Sequence, residues 1–424
     1  MPVQEIELEG HIIDSLILPK VFDTIMDFGG DFEVTEFRIG KMKTEQSYAK
    51  ILVKGKDKKH LDSILGELYK IGARIPVTEN AEFAQAPKDG VLPNNFYSTT
   101  NHPTYIMVEG EWVPVNDVIM DKVIVFNKEN KTAFPKAFSE VKAGDLIVVG
   151  NKGIKVEPPE RPRTYSVFEF MRSSVSSEKP SKFLASKIAE SIVELKSAGK
   201  KIAVVAGPAV VHTGGQDYLA DMIKYGYVNV LLAGNALAVH DIEYALYGTS
   251  LGVDARTGRT VVAGHRNHLY AINEVMNAGS IKALVESGKL KKGIMYECIV
   301  NSIPFVLAGS IRDDGPLPEV TRDVVKAQKL MRENLKGVEL VLMLSTMLHS
   351  IAVGNMLPSH TKTICIDINP ATVIKLTDRG SAHALGIVSD VGVFLPVLVR
   401  ELRKKSELKA KQEEKPKEEI KEAR

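Results

Sequence analysis

From about residue 180 to about residue 400 the sequence repeats one plan: a short apolar run closes in small or polar residues and is followed by a stretch of helical period. The apolar runs are 202–206, 228–233, 303–308, 340–344 and 363–368. The helical stretches are 181–197, 215–224, 236–247, 269–278, 281–287 and 320–333. Runs apolar on both faces and separated by helices specify a parallel sheet covered by helices on its two sides. Ligands of such sheets bind beyond the carboxyl ends of the strands.

Those ends are uniform in kind. They read Ala206-Gly207-Pro208-Ala209, Ala233-Gly234-Asn235-Ala236, Ala308-Gly309-Ser310, Ser345-Thr346-Met347 and Asp367-Ile368-Asn369-Pro370. Glycine lets a backbone approach a phosphate, and a helix N-terminus behind it supplies oriented N–H groups. A tight strand-to-helix turn also needs glycine, so it is the recurrence that points to a dinucleotide cleft. Neither GxGxxG nor GxxxxGK[ST] occurs, which excludes the ordinary Rossmann fingerprint and a P-loop. Asp367 closes its strand and is placed either to accept both ribose hydroxyls or to cap the next helix; with no arginine beside it, it favours NAD over NADP.

The preceding residues are organised differently. Extended stretches at 6–13, 32–39, 49–53 and 73–77 alternate with helices at 20–28 and 57–69, a βαββαβ order expected to give a ferredoxin-like α+β domain over residues 1–85. That order favours a docking or dimerisation module over a ligand sensor. Short strands at 104–108, 111–115, 122–126 and 145–149 predict a small β-barrel or sandwich over residues 86–160, and the prolines at 158, 159 and 162 mark a linker. The α/β domain then covers 161–402. Residues 403–424 carry nine Lys/Arg and six Asp/Glu without apolar periodicity, and are expected to be a frayed helix or disordered tail.

Composition narrows the class. The formal net charge is +2 over 424 residues, so no electrostatic footprint for nucleic acid or an anionic membrane is present. Two cysteines, Cys298 and Cys365, make neither a disulfide framework nor a metal-ligand spacing; no metal and a reducing, cytoplasmic setting are expected. The start of the chain has three glutamates in ten residues and no apolar segment of a secretory signal. Residues 340–359 hold no charge but are broken by Ser345, Thr346, His349, Ser350, Asn355 and Pro358, and read as a buried strand followed by a polar loop.

Several separated motifs then agree in order: Asp14-Ser15 through Gly29-Gly30-Asp31-Phe32, the segment Tyr97-Ser98-Thr99-Thr100-Asn101-His102-Pro103-Thr104, the pair Met120-Asp121, Phe168-Glu169-Phe170-Met171 and Ser176-Ser177-Glu178-Lys179-Pro180. On these residues the chain, up to about residue 400, resembles the archaeal type of ornithine cyclodeaminase, long labelled lysine-oxoglutarate reductase/saccharopine dehydrogenase-like. It is similar as well to the C-terminal part of cyanobacterial arginine dihydrolase/ornithine cyclodeaminases. The α/β part is similar to the NAD-binding fold of deoxyhypusine synthase, which accounts for the missing GxGxxG. The resemblance implies conversion of L-ornithine to L-proline and ammonia, with NAD reduced and reoxidised in place.

That chemistry needs an anion site, a base and a closed cavity. Candidate catalytic groups are His240, one or two turns into a helix behind the pocket, Asn101 and His102 on a proline-terminated loop, and Arg266 in His265-Arg266-Asn267-His268. Each histidine has a structural reading too, as a buried or surface residue. The expected cofactor site is Asn235, Ala236, Asp314, Ser345, Thr346, Met347, Leu348, His349, Asp367, Asn369, Asp390 and Val391. Glu178-Lys179 sits at the domain junction, Thr213 is expected to cap the helix after His212, and Cys298 reads as a packed thiol. A homo-oligomer is expected, with no nucleic-acid or membrane partner. An imine reductase of lysine-type metabolism and an NAD-responsive regulator remain the alternatives to the cyclodeaminase.

Overall fold

The computed structural model describes residues 2–13, 16–42, 45–74, 79–157, 175–176, 181–251, 253–254, 264–378 and 384–422. The prolines expected to mark a linker, Asp14-Ser15, Phe168 to Met171 and Glu178-Lys179 lie outside the described residues. The chain divides into two compact units, Met1–Ser166 with Leu357–His360, and Val167–Met356 with Thr361–Arg424.

The first unit opens with β1 (Val3–Gly10), α1 (Ile17–Asp27), β2 (Asp31–Arg38), β3 (Ser47–Lys54) and α2 (Lys58–Lys70). β3 is central in the antiparallel order β1-β3-β2 and alternates buried Ser47, Ala49, Ile51 and Val53 with half-buried residues, the period of a strand with one covered face. Glu7 and Arg74 exchange backbone hydrogen bonds of 2.7 and 2.9 Å, so the chain leaving α2 returns alongside β1, as in a ferredoxin-like sheet. Asp57 caps α2 by accepting from the His60 N–H at 2.9 Å. Seven short strands follow: β4 (Glu82–Gln85), β5 (Thr104–Val108), β6 (Glu111–Pro114), β7 (Val123–Asn127), β8 (Thr132–Lys136), β9 (Leu146–Val149) and β10 (Ile154–Val156). They form antiparallel sheets of order β4-β9-β7-β8 and β10-β5-β6 around Ile106, Ile124, Ala133 and Val148.

The second unit comprises β11 (Val175–Ser176), α3 (Ser181–Ser197), β12 (Lys201–Ala206), α4 (Ala209–His212), α5 (Gln216–Lys224), β13 (Val230–Gly234), α6 (Asn235–Tyr247), β14 (Thr249–Ser250), β15 (Val253–Asp254), α7 (Asn267–Ala278), α8 (Ile281–Glu286) and α9 (Ile294–Val300). It continues with β16 (Phe305–Ala308), β17 (Val320–Thr321), α10 (Val324–Leu335), β18 (Val338–Leu344), α11 (Met347–Gly354), β19 (Lys362–Asp367), α12 (Pro370–Asp378), β20 (Ala384–Val388) and α13 (Val391–Glu422). Eight of the strands form one parallel sheet, order β11-β20-β19-β18-β12-β13-β16-β17. The chain builds outward from β12 through β13 to β17, then crosses back to β18 and builds the other way. The switch between β12 and β18 opens a crevice at the carboxyl edge.

Three expectations change. The stretch after Leu344 is the helix α11 rather than a polar loop, and among the described residues no helix is long and apolar enough to cross a membrane. The helix expected from 320 begins at Val324, because the Asp323 carboxylate accepts from Val325 and Lys326 N–H and so sets the start; Val320–Thr321 is a strand. Beyond residue 402 the chain is no detached tail at first: α13 runs on unbroken, with Arg403 on Asp221 and over the Tyr225 ring, Lys405 at 3.7 Å from Glu190, and Ser406 bonded to Tyr227.

Candidate active site

At the crevice the glycines are explained by the protein's own atoms. A side chain on Gly207 would meet the Ser345 carbonyl at 2.2 Å, and one on Gly234 would meet the His349 ring at 2.9 Å. Gly309 likewise lies against Thr321 and Arg322 backbone. Glycine here lets neighbouring strand ends and the α11 side chains close up, as a tight strand-to-helix turn requires. Ser345 itself takes a left-handed conformation, φ 49°, at the turn into α11.

What the edge offers a dinucleotide is a row of helix N-termini and one acid. α6, α11, α12 and α13 all start at it, each within about three residues of the strand before. Asp367 ends β19 and is only 7% exposed; its Oδ1 accepts from the Asn369 N–H at 2.8 Å, which orients the carboxylate, while Asn369 caps α12 by accepting from Ala371 at 3.0 Å. Leu348 in the first turn of α11 and Ile368 just after β19 stand 75% and 69% exposed, large apolar groups at this edge. Burial lowers the pKa of His349, with Asp313 opposing, so its imidazole is neutral near pH 7; the Thr346 hydroxyl lies 3.5 Å from its Nδ1.

Other expected cofactor residues have internal tasks. The Asn235 amide holds the loop after β16, accepting from Leu317 N–H at 3.1 Å and donating to the Gly315 carbonyl at 3.3 Å. Asp390 caps α13, accepting from Gly392 N–H at 2.7 Å. Val391 packs its side chain into the core, which leaves only its backbone for a ligand. Asp314 pairs with His268 Nε2 at 3.5 Å, and Ala236 and Met347 are half-buried in the first turns of α6 and α11.

Around His240 the fold assembles groups that the chain order separates. His240 Nδ1 lies 2.9 Å from Oε2 of Glu243, one turn on in α6 and wholly buried. Glu243 also accepts from the Thr249 hydroxyl at 2.9 Å and from Leu251 N–H at 3.2 Å. The His212 ring, from α4, meets that of His240 edge-on with centroids 4.7 Å apart, and its Nδ1 lies 2.7 Å from the Ser250 hydroxyl. Burial pushes the His212 pKa down to about 4, with His240 adding to the effect and Glu243 opposing it. The His268 ring, from α7, lies 6.1 Å from His240. Sequence reasoning passed over Glu243, although its i,i+3 spacing from His240 puts both on one helix face.

Of the remaining candidates, Arg266 is exposed just ahead of α7, and the His265 side chain lies outside the described residues. Asn101 and His102 belong to the first unit. There the Asn101 carbonyl accepts from Ser359 N–H at 2.8 Å, and burial lowers the His102 pKa to about 4. Thr213 does not cap α5; its hydroxyl donates back to the Ala209 carbonyl at 2.8 Å because it ends α4. Cys298 is a core residue whose thiol burial pushes far up, and the neighbouring Asp241 caps α9 through Ile294 and Met295 N–H, both at 2.8 Å. Among the described residues no group of His, Cys, Asp and Glu has the makings of a metal site.

Three family models tile the chain: the LOR/SDH bifunctional enzyme conserved region over residues 3–102, the first C-terminal region of ArgZ-like arginine dihydrolases over 103–185, and the Rossmann-fold C-terminal region of the same proteins over 186–398. The protein named ornithine cyclodeaminase from Methanocaldococcus jannaschii is 60% identical over 95% of this chain and 97% of its own, and that from Archaeoglobus fulgidus 56% over 97% and 100%. The crystal structure of a putative LOR/SDH protein from Methanococcus maripaludis superposes with a TM-score of 0.73 at 53% identity, covering 77% of this chain and 99% of that one. The ternary complex of AgrE with ornithine and NAD+ is similar at 42% identity and a TM-score of 0.53, covering 95% of this chain and 58% of that one. With that agreement over nearly its whole length, the chain belongs to the archaeal-type ornithine cyclodeaminase family.

Proposed function

We propose that this protein is an NAD-dependent ornithine cyclodeaminase, an ammonia-lyase that turns L-ornithine into L-proline and ammonia. The observation that carries the reading is the 54–60% identity, over 94–97% of this chain, to five archaeal relatives named for that activity. The site supports it. Asp367 at the end of β19 would accept from the ribose hydroxyls of NAD, and the helix N-termini at the same edge, those of α11 and α13 among them, would supply N–H groups to its phosphates. Bound NAD supplies the hydride acceptor that the α-carbon requires and the donor that the closed ring requires. His240, backed by Glu243, handles protons at the amines, and the buried setting of its partners keeps bulk water from competing.

Isotope transfer tests the reading. Ornithine deuterated at Cα is expected to give proline that keeps most of the label at Cα, with catalytic NAD and unlabelled NADH in the medium, because the hydride returns to the carbon skeleton it left. Stoichiometric consumption of NAD would identify a net oxidoreductase instead, and complete washout of the label into water would remove hydride storage from the mechanism.

A further inference from the structure

We infer that Glu243 is the positioning residue of this site: it fixes His240 as the Nδ1–H tautomer, leaves Nε2 as the proton-accepting atom, and with His212 against it confines the imidazole pair to one proton. This deepens the cyclodeaminase reading and rests on it for the identity of the substrate.

The direction of the proton follows from the neighbours. Oε2 of Glu243 receives the Leu251 N–H at 3.2 Å, and a backbone N–H can only donate, so Oε2 is an acceptor. Oε1 receives the Thr249 hydroxyl at 2.9 Å, and that oxygen in turn takes an N–H of the Asn267 amide at 2.8 Å. Each donor is aimed inward at a carboxylate with no exposed surface. The ring nitrogen 2.9 Å from Oε2, Nδ1 of His240, therefore carries its hydrogen toward the carboxylate, and Nε2 keeps its lone pair.

The groups around the ring then set how many protons it shares. Among the described residues His212 faces it from α4 and His268 from α7, with Asp314 behind His268; Glu243 is the acid in contact. Two imidazolium rings 4.7 Å apart in a buried setting repel, so the pair does not carry two charges at once. One held proton is what the reaction asks for. The α-amine reacts unprotonated, its proton having passed to solvent on binding, so that with its hydride held by bound NAD the α-carbon would be the carbon of a C=NH2+ group. A proton leaves the δ-ammonium for the imidazole, the δ-nitrogen attacks that carbon, and the C=N π bond breaks onto the α-nitrogen as the ring C–N bond forms. A second proton moves from the ring nitrogen to the α-amine, whose C–N bond breaks to release ammonia and leave a cyclic C=NH+. Once hydride is back on the ring carbon, the proton held by the imidazole goes to the ring nitrogen of proline.

Histidine ¹⁵N spectra of the full-length protein, assigned with His240→Gln, read the tautomer without turnover. They are run beside kcat–pH profiles for proline formation and NAD binding for wild type, Glu243→Gln and Glu243→Asp. Wild type is expected to show protonated Nδ1 and bare Nε2 at His240. Glu243→Gln is expected to mix or reverse the tautomers, lower kcat by ~10²–10⁴-fold and move the acid limb of the profile, with NAD affinity within twofold of wild type and partial recovery in Glu243→Asp. Thr249→Val, which removes one donor from Oε1, reports the same shift in smaller degree if Glu243→Gln does not fold. An Nε2–H tautomer in wild type, or a Glu243→Gln enzyme with unchanged kcat and profile, overturns the proposal. A wild-type protein that makes no proline from ornithine overturns the reading of the substrate, while the spectra still decide the tautomer.

Discussion

Replacing Asp367 separates the nucleotide-binding role of the strand end from its structural one. In the protein its Oδ1 accepts from Asn369 N–H at 2.8 Å, a bond that an asparagine at 367 retains and an alanine does not. Two charge-assisted hydrogen bonds to ribose hydroxyls are each worth about 1.5–3 kcal/mol, less the cost of drying the carboxylate, so Asp367→Ala is expected to weaken NAD by about 2 kcal/mol, roughly 30-fold in Kd. Asp367→Asn keeps one acceptor and gains a donor, so about 1 kcal/mol, roughly fivefold, is expected. The asparagine variant also loses the charge that repels a 2′-phosphate, and its preference for NAD over NADP should narrow. Calorimetric titration of both cofactors into the three proteins, with thermal unfolding as the control for folding, measures these quantities. Wild-type NAD affinity in both variants would place the ribose elsewhere.

Three further outcomes are expected. Ser345→Val should destabilise the second unit by about 2 kcal/mol and Ser345→Gly should not, because φ 49° penalises a β-branched side chain; equal melting temperatures would show that the turn relaxes. His102 is buried neutral with its pKa at about 4, so the unfolded chain binds the proton first: the associated stability is full above pH 6.5 and is lost as pH falls toward 4, on the order of 2–3 kcal/mol. Urea midpoints across that range should slope less in His102→Gln, and an unchanged slope would assign the acid sensitivity to His212 and other groups. Deletion from Arg403 onward should lower the melting temperature by a few degrees, since it removes the contacts of Arg403, Lys405 and Ser406 with Asp221, Glu190 and Tyr227; an unchanged midpoint would mean these surface contacts contribute nothing.

Legibility followed the range of the interactions. The strand runs and most helices of the second unit stood out because apolar periodicity is a local property, and α3 begins and ends where its pattern does. α11 and α12 did not stand out: each is short, is entered directly from polar residues, Ser345-Thr346 and Asn369, and draws its stability from packing on the sheet, which local propensity does not contain. The onset of α10 depended on one cap, Asp323, that a hydrophobic pattern cannot weigh.

By itself the sequence determined that a parallel sheet would present its strand ends as a ligand edge, that Asp367 would close one of those strands, and that no fingerprint loop would serve the nucleotide. Periodicity and residue type carry that information position by position. Only the tertiary structure decided that the glycines at the edge yield space to Ser345 and His349, that Asn235 and Asp390 hold the chain, and that Glu243 backs His240 with His212 and His268 beside it. Those are contacts between α4, α6, α7 and strand ends far apart in the chain, and a hydrogen bond or a ring contact depends on distances in space that spacing along the sequence does not fix.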